Sequence, residues 1–394
     1  MNGIRRGLLA VLLLAPLLLG GCYGGQEIES SLFVIAMAVD PAPEGTLTVT
    51  VKALSGTQEA GGASVQDAEN ASASGGQTGG AEQAEPGYIV LSATAPSCLR
   101  ALSLLSATTP RTLNLSQLQE IVISQTLAQT DAALPILRET LSMYRANGAA
   151  TVVITPDDAG DFIRRQRALL GVRLSQYLQV LFEHFSQMDV IPPHAQLSDV
   201  VAAMTSGTHD AAAVYAAGNA FDSGLVLPGA QELDRLPGHL PRTSPAQNEY
   251  LGSALFSGAC MTGTLTGSET AQLCLLMGEA QTRTVIIGDT QYRVNMPTRV
   301  RRSIGEDGTL EVQVQLNLTR IAGSEGAGAA DLAAQIEQSL VNLLRRLQAA
   351  RCDAAGYGRI AVRQCLTAQE WETHTWMQEY EGAAVRAAVQ VRTP

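Results

Sequence analysis

Lysine is almost absent from this chain: Lys52 is the only one, and every other basic residue is an arginine. Acidic residues outnumber basic residues by 37 to 26, which gives a formal net charge of −11. Nucleic-acid binding depends on Lys and Arg side chains at phosphates, so this balance argues against a nucleic-acid partner. The same balance argues against a polybasic contact with membrane lipids.

The sequence also lacks the short motifs that accompany catalysis or metal binding. No HExxH, GxSxG, Walker or CxxC pattern occurs, and Asp157 and Asp158 are interpreted as acidic residues at a helix N-terminus. Single histidines are more often surface or core residues than ligands, and all five stand singly: His184, His194, His209, His239 and His374. We therefore expect a protein without catalytic residues, metal or cofactor.

Two patterns near the C-terminus imitate binding motifs. The run GYGRIA at 356–361 spells GxGxxA, but a long predicted helix precedes it, where a dinucleotide site requires a strand. Trp371 and Trp376 are five residues apart, which predicts different sides of one helix and a packing role in preference to sugar stacking.

No apolar run reaches the roughly 20 residues that span a bilayer. At the N-terminus, Arg5 and Arg6 precede an apolar run at 8–19, and Leu19-Gly20-Gly21-Cys22 follows. This arrangement indicates a secretory signal that ends in a lipobox, with cleavage before a diacylated Cys22. An ordinary cleaved signal with a chance cysteine is the alternative. Removal of 1–21 takes away Arg5 and Arg6 and changes the formal net charge from −11 to −13.

Five cysteines follow Cys22, an odd number: Cys98, Cys260, Cys274, Cys352 and Cys365. An extracellular setting permits two local pairs, Cys260–Cys274 and Cys352–Cys365. Cys98 and Cys274 stand in apolar helical contexts, where cysteine is usually a small buried side chain. Free thiols are the favoured prediction.

The length and pattern predict an α+β fold with mixed and antiparallel sheets flanked by helices, in three units at 22–156, 157–278 and 279–394. Apolar runs at 31–39 and 47–54 predict a hairpin. Residues 57–86 are rich in Gly, Ala, Ser, Glu and Gln, and a disordered loop is predicted there.

Helix signals are frequent in the first two units. Asp131 is predicted to cap a helix at 132–144, and Ser268 a helix at 269–278. Amphipathic spacing predicts further helices at 157–170 and 174–188.

The last third gives the clearest pattern. Residues 311–318 alternate between polar and apolar side chains, which predicts a strand covered on one face only. The helix predicted at 331–350 has an apolar face that fits that covered side.

Five segments resemble the C-subunit lipoproteins of nutrient-responsive spore germination receptors, the Ger(x)C family. The resemblance depends on their order along the chain: the lipobox, the strand ending in VDPAPEG with LTVTVKAL, the segment at 101–124, the segment at 250–278, and CDAAGYG with two tryptophans at 352–376. Tyr357 stands where that family usually has Phe.

The resemblance implies a non-catalytic, three-domain lipoprotein, anchored through Cys22 to the outer face of the cell membrane or spore inner membrane. Its partners would be two membrane-embedded receptor subunits of the A and B types, and its role would be to trigger germination. The family gives no ligand site to carry over.

Two other classes stay open. A solute-binding lipoprotein of a transporter would need two similar α/β lobes, and a wall-processing enzyme would need an identifiable nucleophile, metal set or carboxylate pair.

Overall fold

The computed structural model describes residues 30–55, 87–169, 171–219, 233–240, 248–282, 284–287, 290–323 and 328–393. The predicted signal peptide with Cys22 and the loop predicted at 57–86 lie outside the described residues. Among the described helices, none combines the length and the apolar character that a bilayer crossing needs.

Strands and helices are numbered separately in chain order. The strands are β1 Ser31–Pro41, β2 Leu47–Leu54, β3 Tyr88–Ala95, β4 Thr112–Asn114, β5 Glu120–Ser124, β6 Thr151–Thr155, β7 Ala212–Gly218, β8 Asn248–Ser257, β9 Cys260–Leu265, β10 Thr284–Ile287, β11 Thr290–Ile304, β12 Leu310–Ala322 and β13 Val385–Arg392. The helices are α1 Cys98–Ala107, α2 Gln125–Ala128, α3 Ala133–Ser142, α4 Ala159–Arg165, α5 Leu174–Gln187, α6 Leu197–Ser206, α7 Gly267–Met277, α8 Ala329–Ala349, α9 Gly358–Ala361, α10 Ala368–Thr373 and α11 Trp376–Gly382.

The first sheet is mixed. Its strand order is β3-β2-β1-β5-β6-β7-β8-β9, and the short β4 also pairs with β1. The four strands β1, β5, β6 and β7 run parallel, and antiparallel strands extend the sheet on both sides. The predicted hairpin at the start of the chain is confirmed as β1 and β2.

Helices cover both faces of this sheet. Met37 and Val39 of β1 belong to the core that contains α1, α3 and α6, whereas Ala36 and Ala38 belong to the core that contains α4 and α5. Because neighbouring residues of β1 point to opposite covered faces, its sequence is continuously apolar rather than alternating.

The sheet crosses the boundary predicted at residue 156. β6 ends just before that position and pairs in parallel with β7, which follows it by more than fifty residues. The first two predicted units therefore share one sheet, and the division between them remains a prediction.

The second sheet has the order β10-β11-β12-β13 and begins just after residue 278, the other predicted boundary. β12 buries Val312, Val314, Leu316 and Leu318 in one core with α8, while Gln313 and Gln315 are exposed. The prediction of a strand covered on one face is confirmed, and so is the placement of the long helix against it.

Leu255 and Leu265 of the first sheet also belong to this second core. The observed α+β fold with mixed sheets is the predicted class.

Two helix starts differ from the predictions. Asp131 does not cap α3: the N-cap position is Ala132, without a side-chain cap. α7 begins at Gly267 with Thr266 as its cap, because Thr266 and Glu269 form a reciprocal capping box and Ser268 lies inside the helix.

α4 is shorter than the predicted 157–170. Asp158 caps it by accepting the backbone N–H of Asp161 at 2.8 Å, which agrees with its interpretation as a helix N-terminal residue.

The backbone N–H groups of Ala159 and Gly160 donate to the carboxylate of Asp40, at 2.8 and 2.9 Å. Asp157 instead accepts from Gly218 and pairs with Arg165.

Candidate interaction site at the junction of the two sheets

Residues 352–358, which we call the junction turn, follow α8 and bring a fully buried carboxyl to the boundary between the sheets. Asp353 accepts hydrogen bonds from the backbone N–H of Tyr357 at 2.9 Å and of Gly358 at 2.6 Å. The indole N–H of Trp376 donates to the same carboxyl at 3.2 Å. The turn is thereby closed on itself and tied to α11.

A second carboxylate approaches the turn from the first sheet. Asp210, in the loop between α6 and β7, accepts from the backbone N–H of Asp353 at 2.8 Å and from that of Gly258 at 2.9 Å. In return, the backbone N–H of Asp210 donates to the Asp353 carbonyl at 3.2 Å. Gly258 lies in the turn between β8 and β9, so Asp210 links three segments.

Gly358 is sterically required. A Cβ atom there would lie 2.3 Å from the carbonyl oxygen of Thr208 and 2.7 Å from Trp376 Nε1. This close approach of two backbones explains the second glycine of the GxGxxA run, Gly358. That run starts in a turn after α8 and opens only the four-residue α9, so it is not a dinucleotide fingerprint.

Tyr357 has a partner for the hydroxyl that distinguishes it from Phe. The side chain is fully buried, and its hydroxyl donates to the Glu311 carbonyl of β12 at 3.1 Å. Burial raises the pKa of Tyr357, although the nearby Arg302 guanidinium opposes the shift. The extra oxygen thus ties the turn to the second sheet.

Burial also changes the protonation of the junction. It raises the pKa of Asp353 to about 7, although the three N–H donors favour the charged form. At the edge of the site, Arg359 donates to His209 Nε2, and burial with the Arg359 charge lowers the pKa of His209 to about 4. His209 is therefore a neutral acceptor at pH 7.

The other sequence candidates lie elsewhere. His194 is close to Glu279 and Asp199, and His374 is 3.3 Å from Glu379. Within the described ranges, no group of three or more His, Cys, Asp or Glu side chains is arranged to hold a metal ion.

Trp371 and Trp376 are in contact, contrary to the prediction of different sides of one helix. They lie in two separate short helices, α10 and α11, and their ring centroids are 6.5 Å apart. Trp376 is buried against the junction turn, while Trp371 is partly exposed. The break between the helices at 374–375 reorients the second ring, and the five-residue spacing gave no sign of that break.

All five cysteines that follow Cys22 are free thiols, as favoured from the sequence. Cys98, Cys274 and Cys352 are buried, whereas Cys260 and Cys365 are partly exposed. Neither conceivable pair forms a disulfide.

A second buried polar cluster lies between the first sheet and α4. The only lysine of the chain, Lys52, is buried and donates to the carbonyls of Ile163 and Gln166, at 3.3 and 2.5 Å. Glu120 is fully buried and accepts from Gln166 Nε2 and from the Tyr250 hydroxyl, the latter at 3.1 Å. Burial raises the pKa of Glu120 to about 7, and Gln166, Tyr250 and Lys52 oppose that shift.

This cluster predicts a stability that falls as the pH rises. The pKa of Glu120 is about 7 in the folded protein and 4.5 as its ordinary value. Between those values the folded state keeps a proton that the unfolded chain has released, so the free energy of unfolding decreases as pH rises from about 4.5 to about 7. Asp353 acts in the same direction, whereas the half-buried His209, with its lowered pKa, opposes the two carboxyl groups in part. We expect a lower thermal midpoint at pH 8 than at pH 5.

Glu120→Gln should reduce this pH dependence because glutamine cannot titrate. Its new amide N–H₂ can donate to the Gln166 side-chain oxygen, which is buried without a hydrogen-bond partner. The measurement is the difference in thermal midpoint between pH 5 and pH 8. The exposed Glu306→Gln should keep the wild-type difference, and an unchanged difference in Glu120→Gln would contradict the assignment.

Two family descriptions match the chain, one over its first part and one over its last part. Residues 24–217 match the family described as spore germination protein N-terminal domain, and residues 251–393 match that described as spore germination B3/GerAC like, C-terminal. No curated protein matches the chain. Among solved structures, the chain is similar to the crystal structure of the GerBC protein, with 10% identity and a TM-score of 0.47 over 91% of this chain and 96% of that chain.

Proposed function

The chain belongs to the GerAC-like spore germination family, the receptor C subunits, and from that premise we propose that it works as a lipid-anchored, non-catalytic receptor subunit. It would act through contacts with membrane-embedded subunits of the A and B types on the outer face of the cell membrane or spore inner membrane. Two matches to one family, over both parts of the chain, support the role in germination.

One observation carries the non-catalytic part of the proposal. The polar side chains at the junction are used inside the protein: Asp353 binds three N–H donors, Tyr357 of the turn donates to an internal acceptor, and Trp376 of α11 donates to Asp353. Groups that are already bonded and buried hold the two sheets in a fixed arrangement. They are not presented to a substrate.

A lipid anchor would place this rigid ectodomain beside its partners. Confinement of two proteins to one membrane raises their effective concentration, so weak contacts suffice for assembly. A diacylglyceryl group carries two acyl chains, the number that stable anchoring requires.

We predict that Cys22 carries this group. Mass spectrometry of the mature N-terminus should show a diacylglyceryl thioether on Cys22. The Cys22→Ser variant should no longer be found in the membrane fraction. Cys365→Ser is the matched control and should stay with the membrane. An unmodified terminus, or cleavage at another position, would remove the lipoprotein proposal.

Deletion of the gene in its spore-forming host tests the function. Germination in response to one nutrient class should fail, while a trigger that bypasses the receptors should still work. Substitution of each histidine, and of Asp157 and Asp158 in turn, should leave the response intact. Normal germination on all nutrients, after removal of paralogous receptors, would overturn the proposal.

A further inference from the structure

The outer face of the second sheet is rich in arginine. The register of β11, β12 and β13 places five arginines on the side opposite α8: Arg293, Arg299, Arg301, Arg386 and Arg392. All five are exposed. We call this surface the arginine face.

Most of this positive charge has no acidic partner in the described part of the chain. Glu311 is the only carboxylate at the outward positions of β11, β12 and β13, and it lies 3.3 Å from Arg386. No described carboxylate forms an ion pair with the other four arginines. In a chain of net charge −11, this is a concentrated charge of the opposite sign.

Amide side chains fill the space between the arginines. Gln313 and Gln315 of β12 are exposed beside Gln390 of β13, and Gln315 Nε2 donates to Gln390 Oε1 at 3.4 Å. A hollow of about 190 Å³ lies between two of the arginines, and its walls are Pro297, Arg299, Gln315, Leu316, Asn317, Gln390 and Arg392. Such a hollow accommodates one acidic side chain between two guanidinium groups.

The β13 edge of the same sheet is occupied at one position. Glu337 of α8 accepts the backbone N–H of Val389 at 2.8 Å, which occupies a donor that an added strand would need. A strand added at this edge would lose one hydrogen bond, which favours contact through the side chains on the face of the sheet.

We propose that the arginine face binds an acidic protein surface, with a carboxylate of the partner in the hollow between Arg299 and Arg392. Arginine pairs with carboxylates through two parallel N–H···O bonds. The amides between the arginines supply acceptors as well as donors, which match the peptide and side-chain groups of a protein. A layer of phospholipid headgroups offers mainly acceptors, so the amide carbonyls favour a protein partner. The inference rests on the proposed function only in locating this partner among the receptor subunits.

Two matched variants of the full chain test the proposal in solution. The face variant replaces Arg293, Arg299, Arg301 and Arg392 with Gln. The control variant replaces four exposed arginines elsewhere, Arg138, Arg167, Arg173 and Arg363, and loses the same charge. Equal thermal midpoints for the two variants and the wild type establish that both fold.

The acidic probe is poly-L-glutamate, and the lipid probe is a phosphatidylcholine vesicle containing phosphatidylglycerol. We expect the wild type and the control variant to bind poly-L-glutamate, and the face variant to bind it about tenfold more weakly or worse, since four exposed ion pairs are lost. The binding should fade near 0.5 M salt, where charges a few ångströms apart are screened. Equal binding by both variants would overturn the inference, as would arginine-dependent binding to the vesicles alone.

Germination of spores separates this inference from the proposed function. If gene deletion abolishes the response, the face variant should reduce it while the control variant does not. A deletion phenotype with a face variant that germinates like the control variant overturns the inference alone. Normal germination of the deletion strain overturns the proposed function instead.

Discussion

Replacement of Asp353 by alanine is expected to lower the free energy of unfolding by about 3–5 kcal/mol. The variant leaves three buried N–H donors without an acceptor: those of Tyr357, Gly358 and Trp376. Each unsatisfied buried donor costs about 1–3 kcal/mol, and the three costs overlap because the donors share one carboxyl. Denaturant unfolding followed by tryptophan fluorescence measures the change, since Trp376 reports directly on the junction.

Asp131→Ala provides the matched control. Asp131 is exposed and does not cap α3, so its loss should change the free energy of unfolding by no more than about 0.5 kcal/mol. A loss below about 1 kcal/mol for Asp353→Ala would mean that water reaches the three donors, contrary to a buried junction.

Gly358→Ala should cost more than about 3 kcal/mol, at the upper end of what overpacking causes. Helix propensity alone predicts the opposite sign, a gain of up to about 1 kcal/mol, because Gly358 begins a helical turn. The steric effect wins because the nearest obstacle, 2.3 Å from the new Cβ, is the backbone carbonyl of Thr208 and cannot rotate away. Separation of the two backbones would also break the contacts around Asp210.

Gly382→Ala separates propensity from steric effects. Gly382 is also helical, at the end of α11, but a Cβ there meets nothing within 4 Å. This variant should be neutral or slightly stabilising in the same denaturation measurement. If Gly358→Ala behaved like Gly382→Ala, the close approach at the junction would be wrong.

Elements with a strong local pattern were predicted well from the sequence. The alternation at 311–318 marks a strand with one covered face, and the apolar stripe of the long helix matches it, because both patterns reflect burial on a single side. The hairpin at the start of the chain follows from two apolar runs joined by a Pro- and Gly-containing turn.

Features that depend on distant residues were not predictable. The backbone N–H groups at the N-terminus of α4 donate to the carboxylate of Asp40, which lies 119 residues earlier in the chain. No local pattern in the sequence predicts this contact. The sheet that crosses residue 156 depends on the pairing of β6 with β7, while local helix signals at that point suggested a boundary. Thr266 and Ser268 are both possible caps by composition, and only Glu269 three residues after Thr266 distinguishes them.

The junction itself was visible only in part. The resemblance marked the segment at 352–376, but not the role of Asp353 as acceptor for three donors. An acidic residue inside an otherwise apolar and glycine-rich run is a signal that could have pointed to a buried acceptor. Asp210 carries no comparable signal, because its partners at Gly258 and Asp353 lie 48 and 143 residues away.

The arginine face could not be predicted from the whole-chain net charge of −11, because strand register decides which arginines share a surface.

The position of β1 inside the first sheet has a mechanical consequence. β1 begins at Ser31, nine residues after Cys22, and is hydrogen-bonded to β2 along one side and to β4 and β5 along the other. A force applied at the N-terminal end of β1 would load two ladders of hydrogen bonds at once, whereas a force on an edge strand would open one ladder bond by bond. β1 is therefore a strong point of attachment, because both of its neighbouring strands must be separated from it before the sheet gives way.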